Sequence, residues 1–268
     1  MTKNPGFMRT KLLLVIAITS TFRRGAEEAE EHRNRMELQV RREARREPLR
    51  SPRSPVADIY LRPVDVNKDT PELREIYNWY TQNSFTSPNI HIINEDEVRQ
   101  RIEESRSTNL PCIVAIDRRV EKILGYALAR EFDRHAASHF TAELDLYVKD
   151  EHTNLGIGQC LLDKLLEICD PSYTPKCGCS FKTSKEERSG YYPGGTRRLA
   201  RLIFTLCYVD MKAKDISKHE RVKKWLKQRG EFEEEGLLRG IRVKNNHLIN
   251  VAYLVRTIGH SHLNKLDF

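Results

Sequence analysis

Three polar side chains alternate along one predicted strand, and one of them is suited to accept a proton. Between positions 142 and 148, Glu143, Asp145 and Tyr147 occupy every second position, so they share one face of the strand. The residues between them are all apolar, which predicts a largely buried strand with one polar face. A partly buried carboxylate has a raised pKa, which suits it to act as a general base near neutral pH.

A turn containing two glycines follows this strand and leads into an amphipathic helix. Backbone N–H groups in such a turn, together with the positive end of the helix, form a site for a phosphate group. The turn is not a P-loop, because Gly158 is followed by Gln159 and Cys160 instead of Lys and Ser or Thr. It is not a dinucleotide fingerprint either, because position 161 is Leu and the motif lies in the middle of the chain.

The strand, turn and helix resemble the acetyl-CoA site of the GNAT superfamily of N-acetyltransferases. Further segments resemble the phosphinothricin acetyltransferase branch of that superfamily: Arg62-Pro63, the helix at 72–80, Thr141-Ala142-Glu143 and the run at 236–253. The resemblance covers roughly residues 57–258. It implies an α/β (α+β) fold with a mixed central sheet of about seven strands, flanked by helices.

The resemblance also implies that acetyl-CoA is the co-substrate and that no metal takes part. Main-chain groups of the strand would hydrogen-bond the pantetheine arm, and those of the turn would hold the pyrophosphate. The strand residues are Leu146, Tyr147 and Val148, and the turn residues are Asn154, Leu155, Gly156, Ile157, Gly158 and Gln159. Thr153-Asn154 stand where the family carries Gln-Arg, so the predicted contacts involve the main chain alone.

Glu143 occupies the position of the family's proposed catalytic Glu in a Thr-Ala-Glu sequence, so we predict that it is the general base. A base is needed because an alkyl amine is mostly protonated at neutral pH. Asp145 is the second candidate. Either carboxylate could instead pair with a basic side chain such as Arg130.

The general acid is harder to assign from the resemblance. Many relatives carry a Tyr or His in the last helix that could protonate the departing thiolate, but the matching position here is Leu226. The preceding Asn position of the family falls near His219. Tyr208, on a neighbouring strand, is therefore the candidate acid.

These residues predict an N-acetyltransferase that transfers acetyl directly to the primary amine of a small molecule, such as an amino acid or an analogue of the phosphinothricin type. One alternative is a catalytically degenerate, acyl-CoA-binding module of the same fold. Another is an N-acetyltransferase that acts on peptides or proteins. Fold resemblance does not choose among these functions. A homodimer is also left open.

The chain has 268 residues and is 39% hydrophobic, which is enough for one sizeable core. We predict an acetyltransferase domain at 57–260 with a loop insertion at 171–198, preceded by a basic extension at 1–56. The extension holds thirteen Lys or Arg against seven Glu, so most of the net charge of +8 lies there. Because the extension lacks interleaved aromatic residues, no nucleic-acid partner is predicted.

An apolar run at 11–22, within a candidate targeting segment at 9–24, is too short to span a membrane comfortably. It leaves open a weak membrane association, or secretory or mitochondrial targeting, beside the cytoplasmic location that we predict. Six cysteines lack the spacing of a zinc site or a disulfide framework, so reduced thiols are predicted. Their positions are 112, 160, 169, 177, 179 and 207.

Coarse periodicity predicts the following elements. Strands are expected at 58–63, 111–117, 122–131, 140–149, 200–209, 232–243 and 247–257, and helices at 71–83, 95–105, 157–169 and 217–229.

Overall fold

The computed structural model describes residues 55–184, 187–209 and 213–258. Almost all of the predicted extension at 1–56, including the segment at 9–24, lies outside these residues. In the part of the chain that the structure describes, no helix combines the length and the apolar character needed to cross a membrane.

Eight strands and four helices make up the described fold. In chain order they are β1 (Ile59–Pro63), α1 (Val66–Asn83), α2 (Glu95–Ser107), β2 (Cys112–Asp117), β3 (Ile123–Glu131), β4 (Thr141–Val148), α3 (Ile157–Cys169), β5 (Ser180–Phe181), β6 (Arg201–Tyr208), α4 (Ala213–Gly230), β7 (Glu233–Lys244) and β8 (His247–Thr257).

The strands form one mixed sheet in the order β5-β1-β2-β3-β4-β6-β8-β7. This confirms the predicted mixed sheet flanked by helices, with one strand more than the seven expected. The additional strand is β5, which comes from the insertion at 171–198 and pairs in parallel with β1. Only two of its residues pair, Ser180 with Tyr60 and Phe181 with Leu61, so its sequence carried too short a pattern to be recognised.

The two faces of the sheet bury separate clusters of apolar side chains. Alternation along β4 sends Leu144 and Val148 into a cluster with residues of α3 and with Leu226 of α4. It sends Tyr147 to the opposite face, where Tyr77 of α1 and the apolar side of α2 pack against the sheet. The predicted polar face of β4 is therefore the face toward α1 and α2.

Helix α1 begins five residues before the predicted position 71. Asp65 is its N-cap, and the Asp65 side chain accepts a hydrogen bond from the Asn67 N–H. The predicted start coincides with Pro71, a residue type that favours the first turn of a helix. The cap at Asp65 and the buried ion pair between Asp69 and Arg62 instead extend the helix N-terminal to the proline.

The insertion at 171–198 is anchored to the domain by buried polar contacts. Asp163 of α3 accepts hydrogen bonds from the Tyr173 hydroxyl at 2.7 Å and from the Lys176 and Cys177 N–H groups, each at 2.8 Å. Farther along, the Tyr191 hydroxyl donates to a main-chain carbonyl of β2 at 3.1 Å. The described part of the insertion is thus packed onto the sheet and α3.

Candidate active site

Strands β4 and β6 run side by side for only part of their length. Their parallel register ends at the pair Glu143–Ile203. Beyond this pair, β4 continues to Val148 paired with β3, and β6 continues to Tyr208 paired with β8. Two parallel strands that separate in this way present backbone groups along their facing edges to an extended ligand between them.

Glu143 lies at the point where the strands separate, and its side chain is tightly held. Residue Glu143 is 9% exposed. Its Oε1 accepts a hydrogen bond from Thr205 Oγ1 at 2.5 Å, and its Oε2 lies 2.8 Å from Nη2 of Arg130. The Nε of the same guanidinium is 3.1 Å from Oδ2 of Asp145. Arg130 therefore joins the two carboxylates that are candidates for the base.

Burial raises the pKa of Glu143 above its ordinary value. The positive charge of Arg130 and the hydrogen bond from Thr205 act in the opposite direction, because both stabilise the ionised carboxylate. The net rise makes the ionised carboxylate a stronger proton acceptor than a solvated glutamate. The environment of Glu143 thus suits a general base.

The polar surface around Glu143 extends from β4 across β6 and β8 to the edge strand β7. Tyr253 of β8 is the register partner of Thr205, so their side chains share the face of Glu143. On the edge strand β7, the Arg242 guanidinium lies 3.1 Å from the Cys207 sulfur, and its positive charge lowers the pKa of Glu143. Glu143 thus contacts Arg130 and Thr205 directly, while the charge of Arg242 acts on it and Tyr253 shares its face.

Lys244, at the end of β7, binds the segment between α1 and α2 and holds it against the face of the sheet that carries Glu143. Its Nζ donates hydrogen bonds to the carbonyl oxygens of Ser84 at 2.8 Å and Ser87 at 3.1 Å. In the same segment, Phe85 packs against the cluster that contains Cys207. Since Cys207 and Thr205 are two residues apart on β6, the segment lies over the face that carries Glu143.

Helix α3 begins directly after the glycine turn, and its N-terminus has no side-chain cap. Its N-cap is Gly156, and its first turn holds no acidic residue. The N-termini of α1 and α2, in contrast, are capped by the side chains of Asp65 and Asn94. Uncapped amides at the positive end of a helix form an anion site. The geometry at 154–159 therefore fits the predicted pyrophosphate cradle.

The two glycines of the cradle differ in how strictly the structure requires glycine at their positions. Gly156 has a φ of 85°, and a Cβ added there would lie 3.0 Å from the Cα of Pro55. Both the backbone conformation and the packing thus require glycine at this position. A Cβ at Gly158 would meet only the side chains of Leu146 and Val148, at 3.6 and 3.7 Å, which are ordinary contact distances.

The strand residues expected to bind pantetheine all lie in the part of β4 beyond its pairing with β6. Tyr147 is buried, and its ring packs against those of Tyr77 and Tyr126. The carbonyl oxygen of Val148 accepts a hydrogen bond from the Tyr80 hydroxyl at 2.7 Å. A ligand at that carbonyl would use its second lone pair.

Tyr208 does not share the face of Glu143. It is three residues from Thr205, so alternation directs it to the opposite face, where it packs against the cluster of α3 and α4. Its ring stacks on His219 of α4 with centroids 3.8 Å apart. Leu226 is 1% exposed within the same cluster, so the family's acid position is occupied by an apolar core residue.

Sequence reasoning did not single out Thr205, Arg242 or Tyr253. All three lie on strands that are distant from β4 in the sequence, so only the pairing of β4, β6, β8 and β7 brings them toward Glu143. Alternation along β6 shows which residues of that strand share a face with Thr205. It does not show that this face is also the face of Glu143, because that depends on the parallel register of β6 with β4. Arg130 was identified as a partner of the carboxylates, and the structure shows that it contacts both.

This chain is similar to known acetyltransferases in sequence and in fold. Residues 70–177 match the acetyltransferase (GNAT) family. Over 102 residues, the chain is 29% identical to a phosphinothricin N-acetyltransferase of Alcaligenes faecalis. That alignment covers 38% of this chain and 51% of the relative, so the chain spans about half the length of the curated relative that it matches.

Two solved structures illustrate the likeness of fold. A GNAT superfamily phosphinothricin acetyltransferase from Sinorhizobium meliloti, in complex with acetyl-CoA, is 22% identical, with a TM-score of 0.54 over 75% of this chain and 89% of that one. The acetyltransferase-like protein yncA from Salmonella typhimurium, solved with acetyl-CoA, is 16% identical, with a TM-score of 0.55 over 76% of this chain and 96% of that one. At these identities, the likeness establishes the fold.

Proposed function

We propose that the protein transfers the acetyl group of acetyl-CoA directly to a primary amine of a small molecule. The proposal starts from the GNAT acetyltransferase domain of this chain, which resembles the phosphinothricin acetyltransferase branch. The observation that carries the proposal is the position of Glu143. It is a buried carboxylate with a raised pKa at the point where β4 and β6 separate. The uncapped N-terminus of α3 follows the same strand.

Acetyl-CoA supplies an acetyl group that is already activated as a thioester. The amides of α3 and of the turn at 154–159 would bind its pyrophosphate, because they carry no side-chain cap. Main-chain groups of Leu146, Tyr147 and Val148 would bind the pantetheine arm along the free edge of β4. A main-chain N–H of the same strand would donate to the developing oxyanion.

Glu143 would take one proton from the ammonium group of the acceptor, directly or through water, and so leave a neutral amine that can attack the acetyl carbon. As the C–N bond forms and the C–S bond breaks, the departing thiolate needs a proton. We propose Tyr208 as its donor, with the thiolate leaving through the gap between the separated strands toward the face opposite Glu143, where Tyr208 lies. Tyr253 is the alternative hydroxyl, because it shares the face of Glu143.

The acceptor that we propose is an amino acid or an amino-acid analogue of the phosphinothricin type. The name of the Alcaligenes faecalis relative supports this choice. So does the charge of the site, since Arg130 and Arg242 beside Glu143 could pair with an acidic group of the acceptor. The alternative acceptor is a peptide or protein, which the long insertion could recruit. The same assay tests it.

The test is thiol release from acetyl-CoA by the purified full chain, with a panel of amino acids, phosphinothricin and short peptides as acceptors. Glu143→Gln is the test variant. Glu235→Gln is a matched control, because Glu235 also pairs with an arginine, Arg201 at 2.8 Å, but at an exposed position. Acceptor-dependent release that is lost only in Glu143→Gln supports the proposal. Binding of acetyl-CoA without turnover on any acceptor would overturn it in favour of a non-catalytic acyl-CoA-binding module.

A further inference from the structure

Three cysteine side chains meet beside the first turn of α3. Cys160 lies four residues after the N-cap of this helix, and Cys177 and Cys179 belong to the insertion just before β5. The thiols of Cys177 and Cys179 both interact with that of Cys160, and the Cys177 N–H is held by Asp163, one helical turn beyond Cys160. All three pack against the same hydrophobic cluster, and all three are free thiols. The sequence placed them 17 and 19 positions apart and gave no sign of this contact.

The insertion is fixed on both sides of these thiols. Before them, Asp163 of α3 holds the Cys177 N–H at 2.8 Å and the Tyr173 hydroxyl at 2.7 Å. After them, the Cys179 sulfur donates to the Ile59 carbonyl at 3.9 Å, and β5 pairs with β1. A disulfide requires two cysteines that the backbone already holds close together. The anchors on α3 and β1 supply that condition.

The three thiols differ in accessibility and acidity. Cys177 and Cys179 are half-buried, and their contact with Cys160 lowers the pKa of each. Cys160 is 2% exposed, and the same contacts raise its pKa. Thiolate character and access together make a cysteine reactive. Cys112 and Cys169, in contrast, are buried, and burial raises the pKa of both thiols.

Within the described ranges, no group of three or more His, Cys, Asp or Glu side chains is arranged to hold a metal ion. The nearby carboxylate of Asp163 already accepts hydrogen bonds from Tyr173, Lys176 and Cys177. Thiols that the backbone holds close together can be oxidised to a disulfide, and this is the chemistry that the anchored geometry supports.

We propose that Cys160, Cys177 and Cys179 form an oxidation site, at which a hydroperoxide converts Cys160 and one of the other two thiols into a disulfide. The thiolate of Cys177 or Cys179 attacks a peroxide oxygen and the O–O bond breaks. With one proton taken from solvent, a sulfenic acid forms and an alcohol leaves, which is water when the oxidant is hydrogen peroxide. The Cys160 sulfur then attacks the sulfenic sulfur, the S–S bond forms, and water leaves. The two thiols lose two electrons, and the peroxide gains them.

The disulfide would join the insertion to the first turn of α3. This consequence rests on the proposed function, in which the amides of that turn hold the pyrophosphate of acetyl-CoA. To form the bond, the sulfurs must approach to about 2.05 Å, so the insertion or the turn must shift. We therefore expect oxidation to weaken the binding of acetyl-CoA, and dithiothreitol to restore it.

The experiment treats the full chain with hydrogen peroxide, alkylates the remaining thiols and maps the unreduced peptides by mass spectrometry. The expected product is a peptide pair joining Cys160 to Cys177 or Cys179, with a mass loss of two hydrogens. It should be absent from Cys160→Ala and from the double variant Cys177→Ala/Cys179→Ala, and present in the control Cys169→Ala. The double variant changes only half-buried residues, so it tests the site even if Cys160→Ala does not fold.

Two outcomes would overturn the proposal. One is peroxide treatment that yields no cross-link to Cys160, or only sulfinic and sulfonic acids on separate cysteines. The other is stoichiometric zinc in the purified protein, bound by the same three residues. Because the cross-link is scored by mass and needs no acetyl-CoA, its failure is distinct from failure of the proposed acetyltransferase activity. A cross-link that leaves acetyl-CoA affinity unchanged would overturn the link to the helix turn.

Discussion

Thr205 Oγ1 of β6 donates a 2.5 Å hydrogen bond to Oε1 of Glu143 on β4, across the point where the two strands separate. The second carboxylate oxygen of Glu143 faces Arg130 at 2.8 Å. Each oxygen therefore has a separate partner that stabilises the ionised form, while burial opposes ionisation. This balance allows the pKa of Glu143 to be shifted in either direction by changing its neighbours.

Replacement of Thr205 by Val should raise the pKa of Glu143 further, because the ionised carboxylate loses a hydrogen-bond donor. A base acts only when it is ionised, so the acidic limb of the kcat/KM profile should move to higher pH. The measurement is thiol release as a function of pH for the variant, with Thr205→Ser as the control that keeps the hydroxyl. An unchanged acidic limb in Thr205→Val would show that the limb does not report Glu143.

Replacement of Asp145 by Asn should have the opposite effect on the same limb. The negative charge of Asp145 raises the pKa of Glu143, and Asp145 also binds the Nε of Arg130. Loss of that charge lowers the pKa of Glu143, so the acidic limb should move to lower pH while activity on the plateau is retained. Complete loss of activity in Asp145→Asn, at every pH, would instead identify Asp145 as the base.

The hydroxyl that protonates the thiolate can be identified by comparing two phenylalanine variants. If Tyr208 is the general acid, Tyr208→Phe should lower kcat by about a hundredfold or more, which is typical for loss of an acid catalyst. Tyr253→Phe should then stay close to the parent, although Tyr253 lies on the face of Glu143. Steady-state kinetics with one acceptor checks both. The reverse pattern would move the role to Tyr253.

The two glycines of the phosphate cradle should respond differently to alanine. Gly156→Ala forces a φ of 85° on a residue with a Cβ, which costs about 1–2 kcal/mol, and it presses the Cβ against Pro55. We expect a lower Tm and weaker acetyl-CoA binding. Gly158→Ala meets only ordinary contacts, so its Tm should be nearly unchanged. Calorimetry and binding titration measure both, and equal loss of stability in the two variants would contradict this assignment.

The buried ion pair between Asp170 and Arg256 should contribute strongly to the free energy of unfolding. Asp170, just after α3, is 0% exposed and lies 2.6 Å from Nη2 of Arg256 on β8. Asp170→Ala leaves the guanidinium buried with one partner fewer, and should lower the free energy of unfolding by about 3–5 kcal/mol. Urea denaturation checks this value. The exposed pair of Arg201 and Glu235 is the control, and Glu235→Ala should change stability by less than about 1 kcal/mol.

Local patterns in the sequence predicted every element except β5, and they predicted candidate site residues on β4 and in the turn after it. Alternation along β4 separated Glu143, Asp145 and Tyr147 from the apolar positions, because side chains on a strand change face at every residue. The glycines and the amphipathic helix after β4 indicated the anion cradle, and the resemblance to the GNAT superfamily is confirmed by the family match and the fold. These features depend on residues that are close in the chain.

Tertiary structure decided which distant residues meet these local features. The parallel pairing of β4 with β6 brings Thr205 to Glu143, and it puts Tyr208 on the opposite face. The folding of the insertion onto α3 brings Cys177 and Cys179 to Cys160. Strand order and the path of a long connection are set by burial and packing of the whole domain, so no spacing in the sequence encodes them. The sequence by itself predicted the chemistry of β4 and of the turn after it, and the sheet determined which residues surround them.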